Sequence, residues 1–512
     1  MNRFDTWSDR KLAAQCIFPR LDCDKYLEDA AYSEQIKKLV KLDIGGFCIF
    51  NGTTETVKNI LAELQILSNI PLLFCADFEN GVTMRLEDGT DFPHAMALGK
   101  TGEYTSRIAA AIAKEAKDLG VFWNLAPVCD INSNPKNPVI NIRSFGETSE
   151  IAAKNAKEYV KGMQEENVLA CAKHFPGHGN TNIDSHRSLP IINFSSNEQF
   201  VNELAPFYAA MSCDVKSIMI GHLIVENLDR DYPASLSKKI ITDLLRNRLK
   251  FNGIIITDAL DMKAVADKYS IDEIIELVFN AGNDVFLMPN DPLKALSVLT
   301  KIVESDYNNR VRIEQSVNRL YNAKRWCKLI PQYAKYNDKS KAFVEHQKTA
   351  LKAALQAVEI HGSDKNLIPI PEKDNFAVFS ILQKAEDVRS ATRFYTMLSG
   401  AVENDCDFSY IDETIKDEEL IALQEQIKDA KFIIFNFFFR GRGYSDLGNP
   451  EKLNNIIKKL ALGRDYITIF FGDPYLADYI DSKLKIITFS DSFPSLAAAV
   501  MKVAGRTLPE NY

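Results

Sequence analysis

From about residue 40 to residue 300 the sequence alternates short apolar runs with amphipathic stretches, and this repetition limits the fold more than any other feature. The runs are GGFCIF (45–50), PLLFCADF (71–78), VFWNLAPVCD (121–130), VLACAKHF (168–175), SIMIGHLI (217–224), GIIITDA (253–259) and DVFLMPND (284–291). Each has the length of a buried strand. Between them lie patterns of helical period, such as EYTSRIAAAIAKEAKDLG (103–120) and EIAAKNAKEYVKGMQEENV (150–168). Strands that alternate with helices build parallel sheets, because a parallel neighbour is reached only by a crossover. These seven runs predict an α/β fold of the (β/α)8 TIM type, with one strand to be placed near the N-terminus or within 306–330.

A second alternation follows a polar, tyrosine-containing stretch, PQYAKYNDKSK (331–341). A helical segment, AFVEHQKTALKAALQAVEI (342–360), leads into the runs DNFAVFSIL (374–382), KFIIFNFFF (431–439), YITIFFG (466–472) and KIITFS (485–490). The expected organisation is a barrel over 1–335, a linker over 336–345 and a smaller α/β (αβα) sandwich over 346–512, as suits a chain too long for one ordinary core. FIIFNFFF is bounded by Lys431 and Arg440 and reads as a buried strand, not a membrane element.

Composition excludes several classes. With 46% apolar and 25% charged residues the chain is an ordinary globular one. Sixty-one basic against 69 acidic side chains give a net charge of -8, which repels phosphate backbones unless the positive charge is clustered. The nearest cluster, LNNIIKKLALGR (453–464), reads as a solvated helix face, so no nucleic-acid partner is expected. No stretch approaches the length of a membrane span, and no membrane association is expected. Charges at Arg3, Asp5, Asp9, Arg10 and Lys11 interrupt any signal-peptide core. Nine cysteines without a CxxC pair, several inside apolar runs, fit a reducing cytoplasm, and the sequons at Asn51 and Asn193 are then chance matches. Oligomeric state is not encoded in any readable motif.

Polar residues close the apolar runs: Asp77, Asp130, His174, His222, Asp258 and Asn290 all stand at or just after a run's C-terminal end. In a β/α barrel those ends converge on one face, where catalytic groups sit. Any single one is also an ordinary cap or turn former. His174, His178 and His186 lie close together in a segment rich in Pro, Gly and Asn. A metal site is one reading of that cluster, but the spacing is not a recognised ligand pattern, and neither metal nor cofactor is expected. Asp184 and His186 are two apart, so in an extended segment the carboxylate reaches one ring nitrogen and favours the imidazolium. Such a pair moves protons; alone, it is also what a surface Asp with a loose neighbour looks like. Asp258 and Asp261 have a bland reading too, as cap and first-turn support of the helix beginning ALDMKAVAD.

The segment AKHFPGHGNTNIDSHRSLP (172–190) resembles AKHFPGHGDTxxDSHxxLP of the family 3 glycoside hydrolases, specifically their β-N-acetylglucosaminidase (NagZ-like) branch. DFENGVTMRL (77–86) resembles the family's DQEGGRVxRL, and NLAPVCDINSNPKNPVINIRSFGE (124–147) follows NxAPVxDxxxNPxNPVIxxRSFG. YPASLS (232–237) and GIIITDALDMKAV (253–265) match later segments in the same order, and ITIFFGDPYLADYI (467–480) resembles a stretch of two-domain members.

The resemblance implies a retaining exo-β-N-acetylglucosaminidase acting on terminal N-acetylglucosamine of small glycosides such as peptidoglycan fragments. Asp258 is then the nucleophile, His186 the general acid/base and Asp184 its orienting partner, a departure from the usual pair of carboxylates. Asp77, Arg85, Arg143, Lys173 and His174 match positions that bind the sugar's hydroxyls. Asp130 is either a further ligand or an anchor of the loop behind it, and His178 and His222 brace loops. Lys173 and His174 are neighbours, so a regular strand would turn only one of them inward; Pro176 is the residue expected to break that rule. Two departures stand out: Asn80, Gly81 and Val82 replace the paired glycines and arginine, and Asn180 stands where an Asp is usual. Phosphorolysis, with phosphate in place of water, and a non-catalytic sugar-binding barrel are the alternatives.

Overall fold

The computed structural model describes residues 4–181, 189–329, 340–370, 375–402, 406–411, 415–440 and 449–509. The chain packs as two compact units. The first comprises Met1–Thr90, Thr105–Asn134 and Ser144–Phe343; the second comprises Asp91–Tyr104, Pro135–Arg143 and Val344–Tyr512. Two short segments that sequence order places among the barrel's repeats therefore pack with the second unit. Residues 336–339 of the expected linker lie outside the described residues, and 340–345 open the helix Ser340–Ala357.

In the first unit the strands are β1 (Ile17–Phe18), β2 (Arg20–Asp22), β3 (Cys48–Phe50), β4 (Phe74–Ala76), β5 (Val121–Asn124), β6 (Cys171–Phe175), β7 (Ile191–Ile192), β8 (Ser217–Ile220), β9 (Ile224–Val225), β10 (Ile254–Thr257) and β11 (Phe286–Leu287). β2, β3, β4 and β5 form one parallel sheet, and β6, β8 and β10 another. Parallel bridges Trp123–Leu169 and Ile256–Val285 continue the first sheet into the second and the second toward β11. β11 pairs in parallel with β1, which runs through Pro19 into β2. The pairings thus close into a ring of eight staves. The stave missing from the sequence reading is 17–22, at the N-terminus, whereas 307–326 is helical. Pro19 and the exposed Arg20 interrupt its apolar run, which hid it.

Local sequence explains the helices between the staves. Ile271–Ala281 has a complete capping box, Ser270 with Glu273, and ends on Gly282 at φ 110°, where a side chain would be strained. Thr53, Thr148 and Asp291 cap three more helices through their side-chain oxygens. Helix Thr105–Leu119 buries Ile108, Ile112, Ala116 and Leu119, one stripe of helical period, as its sequence predicts.

The second unit is a six-stranded sheet built from β12 (Glu359–Gly362), β13 (Phe376–Leu382), β14 (Cys406–Ile411), β15 (Phe432–Phe439), β16 (Asp465–Gly472) and β17 (Leu484–Ile487), in the order β12-β17-β16-β15-β13-β14. All pairs are parallel except β12 with β17. Residues 377, 379, 381, 433, 435 and 437 face one apolar cluster, with Leu453, Ile456 and Leu460 of a helix; 376, 378, 432, 434 and 438 face another, with Phe394, Leu398 and Leu496. Helices on both faces of a sheet whose strands are buried on both sides make the expected αβα sandwich. β14 went unread because it is an edge strand whose Asp407 and Tyr410 are exposed, and β12 because its first residues continue a helical pattern.

Candidate active site

Three staves bring charged side chains to their C-terminal ends. Asp77 follows β4, Lys173 and His174 lie within β6, and Asp258 follows β10. Lys173 is 2% exposed, and its ammonium lies 2.7 Å from Asp77 Oδ1 and 2.7 Å from Glu79 Oε1. Arg85 closes the other side of Asp77, its Nη2 2.5 Å from Oδ2. Two cations and two carboxylates leave the group neutral, which lets it be buried. Burial alone would raise the Asp77 carboxyl, but Lys173 and Arg85 outweigh it and hold it well below the usual carboxylate range. Phe50, at the end of β3, lies under the Arg85 guanidinium, 4.6 Å from its carbon to the ring centre.

His174 takes a different partner. Its Nδ1 donates to Asp130 Oδ2 at 2.7 Å, since a carboxylate only accepts. Asp130 is fully buried and also accepts the backbone N–H of His174 at 3.2 Å and of His178 at 2.8 Å. Of its two expected roles, these bonds are those of an anchor: it ties the loop after β5 to the turn after β6. Lys173 and His174 are neighbours, yet both are buried and engaged by carboxylates. The register of β6 against β8 shifts between Ala172 and Phe175, so the alternation of a regular strand does not hold there. The Lys173–His174 and Phe175–Pro176 peptides are cis.

The glycines of the turn are required by space. A Cβ on Gly179 would stand 1.5 Å from the carbonyl oxygen of Ile131, and Gly177 has φ 129°. Burial lowers His178 to about 4, so it is an uncharged ring at neutral pH. His222 bonds through both nitrogens, 2.6 Å to Ser235 Oγ and 2.9 Å to the carbonyl of Ala259, the residue after Asp258. Both histidines brace loops, as expected.

Asp258 continues β10, its N–H donating to the Ile220 carbonyl at 2.9 Å. The following short helix starts at Lys263, with Met262 at its cap position and no side-chain cap, so Asp258 caps no helix. Burial pushes its carboxyl up; His174, His222, the Ala259 N–H and Lys173 together bring it below the ordinary carboxylate value. It is therefore an ionised carboxylate ringed by cationic or polarisable groups.

Asp184 and His186 lie outside the described residues, and with His186 goes the reading of the histidines as a metal cluster. Arg143 packs in the second unit, in the turn Asn141–Arg143, where Asn137 Oδ1 accepts the N–H groups of Val139 and Ile140 and the Arg143 guanidinium donates to the Val139 carbonyl at 3.2 Å. Glu79 was not singled out from sequence, although it shares Asp77's face at i+2, a readable signal. Glu203 was missed too and carried none.

Comparison with known proteins gives the same direction. The model of the glycosyl hydrolase family 3 N-terminal domain matches residues 17–323. Beta-hexosaminidase A of Pseudoalteromonas piscicida is 36% identical over 277 residues, 49% of this chain and 46% of that protein. A Cellulomonas fimi protein named beta-N-acetylglucosaminidase/beta-glucosidase is 30% identical over 292 residues, 54% of this chain and 52% of its own. The match thus spans about half the length of these curated relatives. Among solved structures, a glycoside hydrolase family 3 beta-N-acetylglucosaminidase from Paenibacillus sp. str. FPU-7 gives a TM-score of 0.85 at 26% identity, over 98% of this chain and 97% of that one.

Proposed function

Because this chain belongs to glycoside hydrolase family 3, whose N-terminal domain spans residues 17–323, we propose that it is a retaining exo-β-N-acetylglucosaminidase that hydrolyses terminal N-acetylglucosamine from small glycosides such as peptidoglycan fragments. The observation that carries the reading is the placing of Asp258, an ionised carboxylate, near Lys173 and His174, whose ion-paired neighbours suit a polyhydroxylated ligand. The Asp258 carboxylate attacks the anomeric carbon while the His186 imidazolium gives its proton to the departing oxygen, leaving a glycosyl ester. The neutral imidazole then takes a proton from water, which breaks the ester and restores both groups. Asp184 orients the ring. These roles for Asp184 and His186 rest on their place in the motif. Asp77, Arg85, Arg143, Lys173 and His174 are assigned to the sugar's hydroxyls on the same ground. A reducing, cytoplasmic setting belongs to this reading, supported by nine cysteines without a CxxC pair, several inside apolar runs.

An aryl β-N-acetylglucosaminide tests it. Release of the phenol, with free sugar as product in phosphate buffer, is the expected result. Release from the plain β-glucoside alone would overturn the specificity, and sugar 1-phosphate would replace hydrolysis by phosphorolysis.

A further inference from the structure

Behind the Pro176–Gly179 turn stands a carboxyl group that the proposed chemistry does not use. Glu203, on the helix Asn197–Ser212, is 4% exposed. Its Oε1 accepts one long bond, 3.5 Å, from the Ser133 hydroxyl, and its Oε2 is buried without a hydrogen-bond partner among the described residues. Gly177 lies directly against it: a Cβ there would stand 3.0 Å from Oε2 and 3.5 Å from Glu203 Cβ. Among the described residues the charge that acts on it is that of Asp130, after β5, and the turn it lies against follows His174 and contains His178. Among the described residues none of these supplies it with a counter-charge: Asp130 is negative, its carboxylate takes up His174, and His178 is uncharged. An ionised carboxylate so placed would be desolvated, with no cation beside it among the described residues.

We propose that Glu203 is a positioning residue of the reaction, an uncharged acid that supports from behind the turn joining His174 to the segment of Asp184 and His186. The inference rests on the functional reading above. Burial and the charge of Asp130 push its carboxyl up to about 8, against the smaller pull of the Ser133 hydroxyl. Above that pH a second negative charge appears beside Asp130, whose three N–H bonds tie down the same turn. Repulsion between two buried carboxylates then loosens the turn, and catalysis falls on the alkaline side.

The test is the pH profile of kcat/KM on an aryl β-N-acetylglucosaminide. Glu203→Gln keeps size and polarity and cannot ionise, so its alkaline limb moves upward; at pH 9, with each enzyme normalised to its own value at pH 7, the variant exceeds wild type by about threefold or more. Ser133→Ala, which removes the one bond favouring the charged form, also moves the limb upward. Glu198→Gln, at an exposed position of the same helix, keeps the wild-type limb. A merely structural Glu203 would lower the melting temperature of the variants and leave both limbs where they were, and that outcome overturns the proposal. Absence of turnover by wild type on any aryl glycoside overturns the functional reading instead, and the role in catalysis with it.

Discussion

The Lys173 ammonium, on β6, lies 2.7 Å from Oδ1 of Asp77, 96 residues earlier at the end of β4. The contact joins two staves that are not neighbours in the ring, and the same ammonium holds Glu79. Lys173→Met would leave two carboxylates against one guanidinium in a buried site. Loss of one partner of such a group costs about 3–5 kcal/mol. We expect that loss in urea unfolding, and kcat/KM on the aryl glycoside lowered by about a hundredfold or more as a sugar ligand disappears. Wild-type kinetics in Lys173→Met would remove Lys173 from the substrate site.

Asp258→Ala should leave the fold intact and lower kcat by about a thousandfold or more, the scale expected when a nucleophile is deleted. A 2-fluoro sugar with a good leaving group should add one glycosyl mass to wild type and none to the variant. Labelling of the variant would place the nucleophile elsewhere, with Asp261 next to be examined.

Lys324 predicts a pH dependence of stability. Its amine is 1% exposed, bonded to Gln15 Oε1 at 2.8 Å, and burial lowers it from 10.5 to about 7. The unfolded chain keeps the proton up to the higher value, so between pH 7 and 10.5 the folded state binds fewer protons. Stability from this group is therefore fully present above 10.5 and lost as pH falls through 7, at up to about 1.4 kcal/mol per pH unit. Urea unfolding of Lys324→Met across pH 7 to 9 should show a shallower rise than wild type. Equal slopes would mean that the lysine stays charged in the fold.

Asp284 separates stability from chemistry. It precedes β11 at the N-terminal end of the barrel, 1% exposed, and accepts from Arg246 (2.6 Å), Ile255 N–H (2.9 Å), Ser316 (2.6 Å) and Arg319 (3.0 Å). Catalytic groups stand at the opposite ends of the strands. Asp284→Asn should cost about 3–5 kcal/mol in unfolding while KM stays within about twofold. A changed KM with unchanged stability would contradict this division.

Most of the candidate site was legible because strands end where polarity begins. Asp77, His174 and Asp258 follow or close apolar runs, and the barrel brings such ends together without help from any one side chain. Glu79 was equally legible through its spacing from Asp77. Asp130 was half legible: its position marked it, but whether it binds ligand or anchors a turn depended on which N–H groups faced it. Glu203 offered no signal, since one Glu in an amphipathic helix is an ordinary solvent-facing residue until a turn from another element covers it.

The sequence by itself determined the α/β class and both halves of the chain, because periodicity is a local property that survives in one dimension; strand-end polarity marked Asp258, and the family resemblance made it the candidate nucleophile. It placed Arg143 and the segment 91–104 with the barrel by chain order alone. Only the tertiary structure moved them to the second unit, put the eighth stave at 17–22 and turned both Lys173 and His174 toward carboxylates. The physical reason is common to all three. Which residues desolvate one another, and which charges must then be paired, is decided by contacts between segments tens to hundreds of residues apart, and no local pattern records them.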